Sequence, residues 1–211
     1  MPEPRFDPSK EITFDLTHGV VQLGGAPLRV LVPADALAML CVAAGTEAST
    51  TFGRALGDVM GKRVASRLGS PSRGADPREA VRRATLEMVV EHLGGELALA
   101  GLGSLGLERW GRALVMVIDQ SPLGPGGDTV LEATLGAAVG AATGRLVRAR
   151  RLSRDGVRVR FFMGSERAAF KVRAWLVQGV TWGEALARLH GPESNPRGAV
   201  HDRPPEPGGG A

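Results

Sequence analysis

The chain has 211 residues, enough for one well-buried core with a small appendage but too few for two full domains of ordinary size. Its hydrophobic fraction of 43% is typical of globular proteins, and no apolar run reaches the roughly 18–20 residues that cross a membrane. The single cysteine, Cys41, excludes an internal disulfide and a multi-cysteine zinc site, and the polar N-terminus carries no secretion signal. We therefore expect a soluble, cytoplasmic protein. Its net charge of +4 is too small to indicate nucleic-acid binding by itself.

The first part of the chain predicts a hairpin followed by helices. Two alternating segments, 11–19 and 20–33, are bounded by Gly and Pro and predict an N-terminal β-hairpin. Helical patterns then cover 34–42 and 46–68, and a loop rich in Gly, Ser and Pro ends the second.

A capping box predicts the start of the next helix. Asp76 and Glu79 have the spacing that opens a helix, and Gly94-Gly95 is expected to end it. Two apolar stretches within 96–119 then predict a pair of strands.

The remaining elements are predicted by capping and turn residues. Thr129 and Glu132 form a second capping box that opens a helix, and the Asp-Gly pair at 155–156 joins two strands. Ser165 and Thr181 predict the N-caps of two further helices.

The predicted strands come in hairpins and do not alternate one by one with helices. This order indicates an α+β fold in which helices cover an antiparallel sheet. We divide the chain into four segments with different roles. They are a β-hairpin segment (1–33), a core α+β domain (34–163), C-terminal helices that pack on the core or a partner (164–190), and a disordered tail (191–211).

Two predicted helices carry glycines at every fourth position. Each costs about 1 kcal/mol relative to alanine, and a close helix crossing is the interaction that we expect to offset this. Such a crossing lies within one chain or across a dimer. The glycines are Gly53, Gly57 and Gly61 in one helix, and Gly136, Gly140 and Gly144 in the other.

These glycine-bearing segments, "FGRALGDVMGKRVASRL" (52–68) and "LGAAVGAATGRLV" (135–147), resemble those of bacterial 4-vinyl-reductase-type domains and TRAPP small subunits, a fold of NO-signalling and Golgi-transport proteins. The N-terminal segment from residue 12 and "RLSRDGVRVRFF" (151–162) look like the hairpins of such domains, so the resemblance covers residues 12–163.

The resemblance implies an α/β-plait, dimerisation through helices, and in some members an apolar pocket for a ligand. Many such domains have cysteines in the last hairpin, where this chain has Leu152 and Val159, which puts a metal or redox role there in doubt. A ligand pocket would be lined by Leu56, Met60, Met88, Val115 and Val139.

No residue pattern indicates catalysis. The four histidines have no metal-ligand spacing, and no serine or cysteine has an assignable base. "GLGSLG" (101–106) lacks the context of a dinucleotide fingerprint. We therefore expect no enzyme, no cofactor and no metal.

Two surfaces are candidates for docking. Arg148, Arg150, Arg158 and Arg160 would form a basic sheet face that is either solvated or binds an acidic partner. An aromatic and aliphatic stripe in the last two helices covers the core or contacts a partner, and its members are Phe170, Trp175, Trp182 and Leu186.

The leading hypothesis is a non-catalytic, homodimeric adaptor or regulatory protein that binds an unidentified protein partner. The first alternative is a sensor that binds a small hydrophobic ligand in an apolar pocket. The second, less favoured, is nucleic-acid binding through the basic hairpin.

Overall fold

The computed structural model describes four stretches of the chain: 8–23, 26–29, 31–69 and 85–189. In these stretches it contains five α-helices and two antiparallel sheets, so the predicted α+β class is confirmed. Among the helices of these stretches, none combines the length and the hydropathy of a transmembrane span. The predicted tail and the predicted capping box at Asp76 and Glu79 lie outside the described residues, and the four-segment division stays a prediction.

The N-terminal sheet has one strand more than the predicted hairpin. A short 3-10 turn, Pro8–Glu11, precedes it, and the second predicted segment divides into two strands. The strands pair antiparallel in the order β1-β2-β3, with bounds Ile12–Asp15, Val20–Leu23 and Ala26–Arg29.

Helix α1, Ala34–Leu68, bends at Gly45. The φ of Gly45 is 81°, a conformation that glycine adopts without steric penalty. Across the bend the Ser49 hydroxyl donates a hydrogen bond of 2.9 Å to the carbonyl of Cys41. The bend separates the two helical segments that the sequence predicts, which join here into one kinked element.

Helix α2, Leu86–Leu99, continues through Gly94 and Gly95, so its predicted end is wrong. The helix persists because its next turn is buried: Leu97 packs in the core. Gly101, with a φ of 68°, follows the helix end instead.

The second sheet has four strands in the order β4-β5-β7-β6. The Asp-Gly turn at 155–156 joins β6 to β7 as predicted. The bounds are Ser104–Trp110 for β4, Ala113–Asp119 for β5, Arg148–Asp155 for β6 and Arg158–Gly164 for β7.

Helix α3, Asp128–Thr143, begins one residue before the predicted capping box, and Gly127 is its N-cap. The capping box is wrong because the carboxylate of Glu132 accepts hydrogen bonds from Arg150 and from the Arg151 backbone N–H, both 2.8 Å.

Helices α4, Glu166–Val177, and α5, Trp182–Leu189, begin where the sequence predicts. The Ser165 hydroxyl accepts from the Ala168 N–H at 3.3 Å, and the Thr181 hydroxyl accepts from the Glu184 N–H at 3.4 Å.

Both faces of the four-stranded sheet are covered. Met116 and Ile118 of β5 point into a core shared with α1, α2 and α3, whereas Val115 and Val117 point into a second core shared with α4 and α5. Burial on both faces explains why β5 is apolar at nearly every position, since each strand residue meets a packed layer.

Candidate ligand-binding groove

Helices α1 and α3 cross at the first glycine set. A Cβ atom placed on Gly53, Gly57 or Gly61 would lie 2.7–2.9 Å from the Cβ atom of an alanine on α3, and as close or closer to an α3 carbonyl oxygen. These alanines recur with the same four-residue spacing, at Ala133, Ala137 and Ala141. The close crossing predicted for this set is thus present, and it lies within one chain.

The second glycine set does not face the first. A Cβ atom on Gly136 would meet the backbone of Val147 and Ala149, and one on Gly140 would meet the Arg145 carbonyl. Gly144 is the C-cap of α3, with a φ of 70°. The expectation that this set forms the other side of the crossing is corrected: these glycines let β6 pass close over α3 after a tight turn.

The five predicted pocket residues do not all belong to one site. Met60 lies in the first core, and Leu56 and Val139 pack against it, but Val115 lies in the second core on the opposite face of the sheet. Met88 is half-buried. Because β5 has two buried faces, apolar character alone did not reveal which face each residue joins.

The four strand arginines do not form an uncompensated basic surface. Arg148 pairs with Glu166 at 3.0 Å, and Arg150 pairs with Glu132 at 2.8 Å. On the other strand, Arg158 and Arg160 both contact Glu108, at 3.3 and 3.2 Å. The prediction of a basic docking face is therefore corrected, because acidic residues from distant parts of the chain pair with all four arginines.

Glu108 is stabilised as a carboxylate. Burial by itself would raise the pKa of Glu108, but hydrogen bonds from the Trp110 indole and from Arg160, with the charges of Arg160 and Arg158, lower it below its ordinary value. Trp110 also contacts Trp182 of α5 edge-on, with ring centroids 4.6 Å apart.

The predicted aromatic stripe divides between core and surface. Leu186 is 2% exposed and Trp182 packs against the second core, so these two cover the sheet. Trp175 is half-buried, and Phe170 is 72% exposed.

A groove of about 610 Å³ lies between α1 and α3 on one side and β6 and α4 on the other. On the α3 side, the small residues Gly136, Ala137 and Ala141 line it beside the helix crossing. Longer side chains line it from neighbouring elements, among them Arg54 of α1 and Arg173 of α4. Ala137 and Ala141, which meet α1 at the crossing, therefore also leave room for the groove.

A second hollow of about 570 Å³ continues this groove toward the bend of α1. The two share Thr50, Thr129 and Arg173, among other residues. The continuation reaches Thr46, directly after the bend at Gly45, and Val177 at the end of α4.

The sequence analysis identified some of the residues that line this groove, but not the groove itself. Arg148 and Arg150 of the predicted basic face, Phe170 of the aromatic stripe and Gly136 of the second glycine set all line it. Arg54, Arg145 and Arg173 were missed because they lie on three separate elements with no shared motif.

Comparison with known proteins identifies the fold. No protein-family model matches the chain, and no curated protein matches it significantly. The crystal structure of the phenol-responsive sensory domain of the transcription activator PoxR, with phenol, is similar to it, with a TM-score of 0.51 and 16% sequence identity. The chain shares its fold with a sensory domain. The match covers 87% of this chain and 94% of that one.

Proposed function

We propose that this chain is a non-catalytic sensory domain that binds a small molecule in the groove between α1, α3, β6 and α4. The observation that carries the proposal is the fold shared with a phenol-responsive sensory domain over most of both chains. Fold alone does not fix function, so the groove supplies the second support. Its volume of about 610 Å³ falls within the range of small-molecule sites.

This proposal places the sensor hypothesis ahead of the adaptor hypothesis. It also places the ligand-binding site elsewhere than the sequence predicts. The predicted apolar pocket residues lie on two faces of the sheet, whereas the groove lies beside α3. The specific resemblance to 4-vinyl-reductase-type domains and TRAPP small subunits stays a hypothesis that agrees with a ligand-binding role.

The position of the groove suggests how a ligand would be sensed. A ligand extending to Thr46 would contact α1 directly after its bend at Gly45. Binding that favours one bend angle over another would reposition the first part of α1, since a ligand shifts an equilibrium by its differential affinity for the two states.

A groove-filling substitution tests the proposal. Thr129 lines both parts of the groove, so Thr129→Phe should abolish saturable binding of the neutral fluorophore N-phenyl-1-naphthylamine and of its anionic counterpart 8-anilinonaphthalene-1-sulfonate. Ala187→Phe, an exposed position on α5, is the matched control and should bind as the wild type does. Binding that is equal in all three proteins, or absent from the wild type, would contradict the proposed site.

A second candidate function, homodimerisation, is favoured by the surface of α1. Met39, Leu40 and Val42 are 63–73% exposed, and Leu31 and Val32 just before the helix are also exposed. A cluster of exposed large apolar side chains is typical of an interaction surface. A second copy is the proposed partner because a nearly uncharged face needs no complementary charge to pair with itself.

A further inference from the structure

We propose that the ligand of this groove is a small amphipathic anion, with an oxyanion group such as a carboxylate or sulfonate on an apolar body. This inference rests on the proposed function and names its ligand class. It follows from the balance of charges in the groove and from the chemistry of its remaining surface.

The acidic side chains of the groove all have basic neighbours. Glu132 pairs with Arg150 at 2.8 Å, and Glu166 pairs with Arg148 at 3.0 Å. The remaining acids are Asp58, paired with Lys62 at 2.6 Å, and Asp128, paired with Arg151 at 2.6 Å. No carboxylate of the groove therefore needs a cation from a ligand.

Three arginines of the groove are left without a carboxylate. Arg54, Arg145 and Arg173 line it, and among the described residues none of their guanidinium groups has an acidic partner. They come from α1, from the turn after α3, and from α4, so they approach the same space from three directions. A guanidinium presents a planar fork of donors that suits the two oxygens of an oxyanion.

Apart from Thr50 and Thr129, the rest of the groove is apolar. Ala137, Ala141 and Ala149 line it, together with Phe170, whose ring is largely exposed, and Leu146 in the turn after α3. An exposed phenyl ring beside unpaired guanidinium groups suits a ligand with an apolar body and an anionic end. The volume suits a small molecule rather than a polymer, and the pairing of the strand arginines argues against a nucleic acid.

The test compares two fluorophores that share a ring system and differ in charge. 8-Anilinonaphthalene-1-sulfonate carries the sulfonate, and N-phenyl-1-naphthylamine does not. In Arg54→Gln/Arg173→Gln, the dissociation constant of the anionic probe should rise about tenfold or more, since hydrogen bonds between charged groups are lost. The dissociation constant of the neutral probe should change by less than about twofold.

The matched control is Arg112→Gln/Arg167→Gln, which removes the same charge from exposed arginines outside the groove. It should change the affinity for the anionic probe by less than about twofold. An equal effect of both double variants, or an equal effect on both probes, would overturn the inference of an anionic ligand. If the neutral probe still binds in a manner that Thr129→Phe abolishes, the proposed function stands and the ligand class alone is wrong. If neither probe binds saturably to the wild type, the proposed function itself fails.

Discussion

Gly57 of α1 lies so close to Ala137 of α3 that a Cβ atom on Gly57 would stand 2.9 Å from the Cβ atom of Ala137. The same Cβ atom would come closer still to the carbonyl oxygen of Thr134, a backbone atom that cannot turn aside. Overpacking costs up to about 3 kcal/mol, and the better helix propensity of alanine offsets about 1 kcal/mol. Gly57→Ala should therefore lower the free energy of unfolding by about 2 kcal/mol.

Urea denaturation of Gly57→Ala and of a matched variant, Gly183→Ala, checks this. Gly183 lies in α5, and a Cβ atom there would meet nothing within 4 Å. Its substitution should leave the stability unchanged or raise it by up to about 1 kcal/mol. Equal effects of the two substitutions would show that helix propensity, not the crossing, determines the outcome.

The starts of α4 and α5 and the strand alternation could be predicted because they depend on local chemistry. Ser165 and Thr181 accept the expected hydrogen bonds, and Val159 and Phe161 are buried while Arg158 on the same strand is exposed. Errors arose where tertiary contacts override local signals. Helix α2 continues past Gly94-Gly95 because the turn that follows is buried.

The candidate groove could not be predicted because it depends on which elements become neighbours. The first glycine set was recognised, but its partners are alanines on α3 rather than the second glycine set. Alanines are too common in this chain to stand out as a stripe. Likewise, the acids that neutralise Arg150 and Arg160 are Glu132 and Glu108, which lie 18 and 52 residues away in sequence.

Glu96 of α2 is 2% exposed and forms ion pairs with two arginines of α1. Its carboxylate accepts from Arg63 at 3.0 Å and also contacts Arg67, which pairs with Glu11 near the start of the N-terminal sheet. Removing the Glu96 carboxylate leaves Glu11 alone to compensate the charges of both arginines. Glu96→Gln should lower the free energy of unfolding by about 3 kcal/mol in urea denaturation.

The control for this substitution is Glu184→Gln, because Glu184 forms an exposed pair with Arg188 on α5. It should cost at most about 0.5 kcal/mol. A similar, small loss in both variants would mean that the buried pair contributes no more than a surface pair.

His92 of α2 predicts a dependence of stability on pH. Burial lowers the pKa of His92, the charge of Arg67 lowers it further, and Glu91 and Glu96 oppose this. The unfolded chain therefore takes up a proton at a higher pH than the folded chain does. Above about pH 6.5, the pKa of histidine in the unfolded chain, His92 is neutral in both states and takes no stability away. As the pH falls below that value toward the lower folded pKa, the unfolded chain binds the proton first and the free energy of unfolding decreases.

His92→Gln should remove this contribution, so that the variant loses less stability than the wild type between about pH 8 and about pH 5.5. Urea denaturation across that range measures the difference. The same loss in both proteins would show that other groups account for the pH dependence.

The exposed apolar surface of α1 predicts a homodimer that a charge would disrupt. Leu40 is 63% exposed, and a carboxylate in its place would be buried without a partner at the interface. Leu40→Glu should raise the dimer dissociation constant by about 30-fold or more, as measured by analytical ultracentrifugation. Val177→Glu, at an exposed position on α4, is the control and should leave it unchanged. A wild type that stays monomeric at micromolar concentration contradicts the dimer.

An NMR titration of the ¹⁵N-labelled chain with 8-anilinonaphthalene-1-sulfonate tests the ligand-binding groove most directly, because the ring currents of the probe shift the amide signals around it. We expect shifts that saturate at one equivalent and are largest at groove residues such as Thr50, Ala137 and Arg173. Shifts that do not saturate, or that centre on the second core around Val115 and Leu186, would contradict a binding site in this groove.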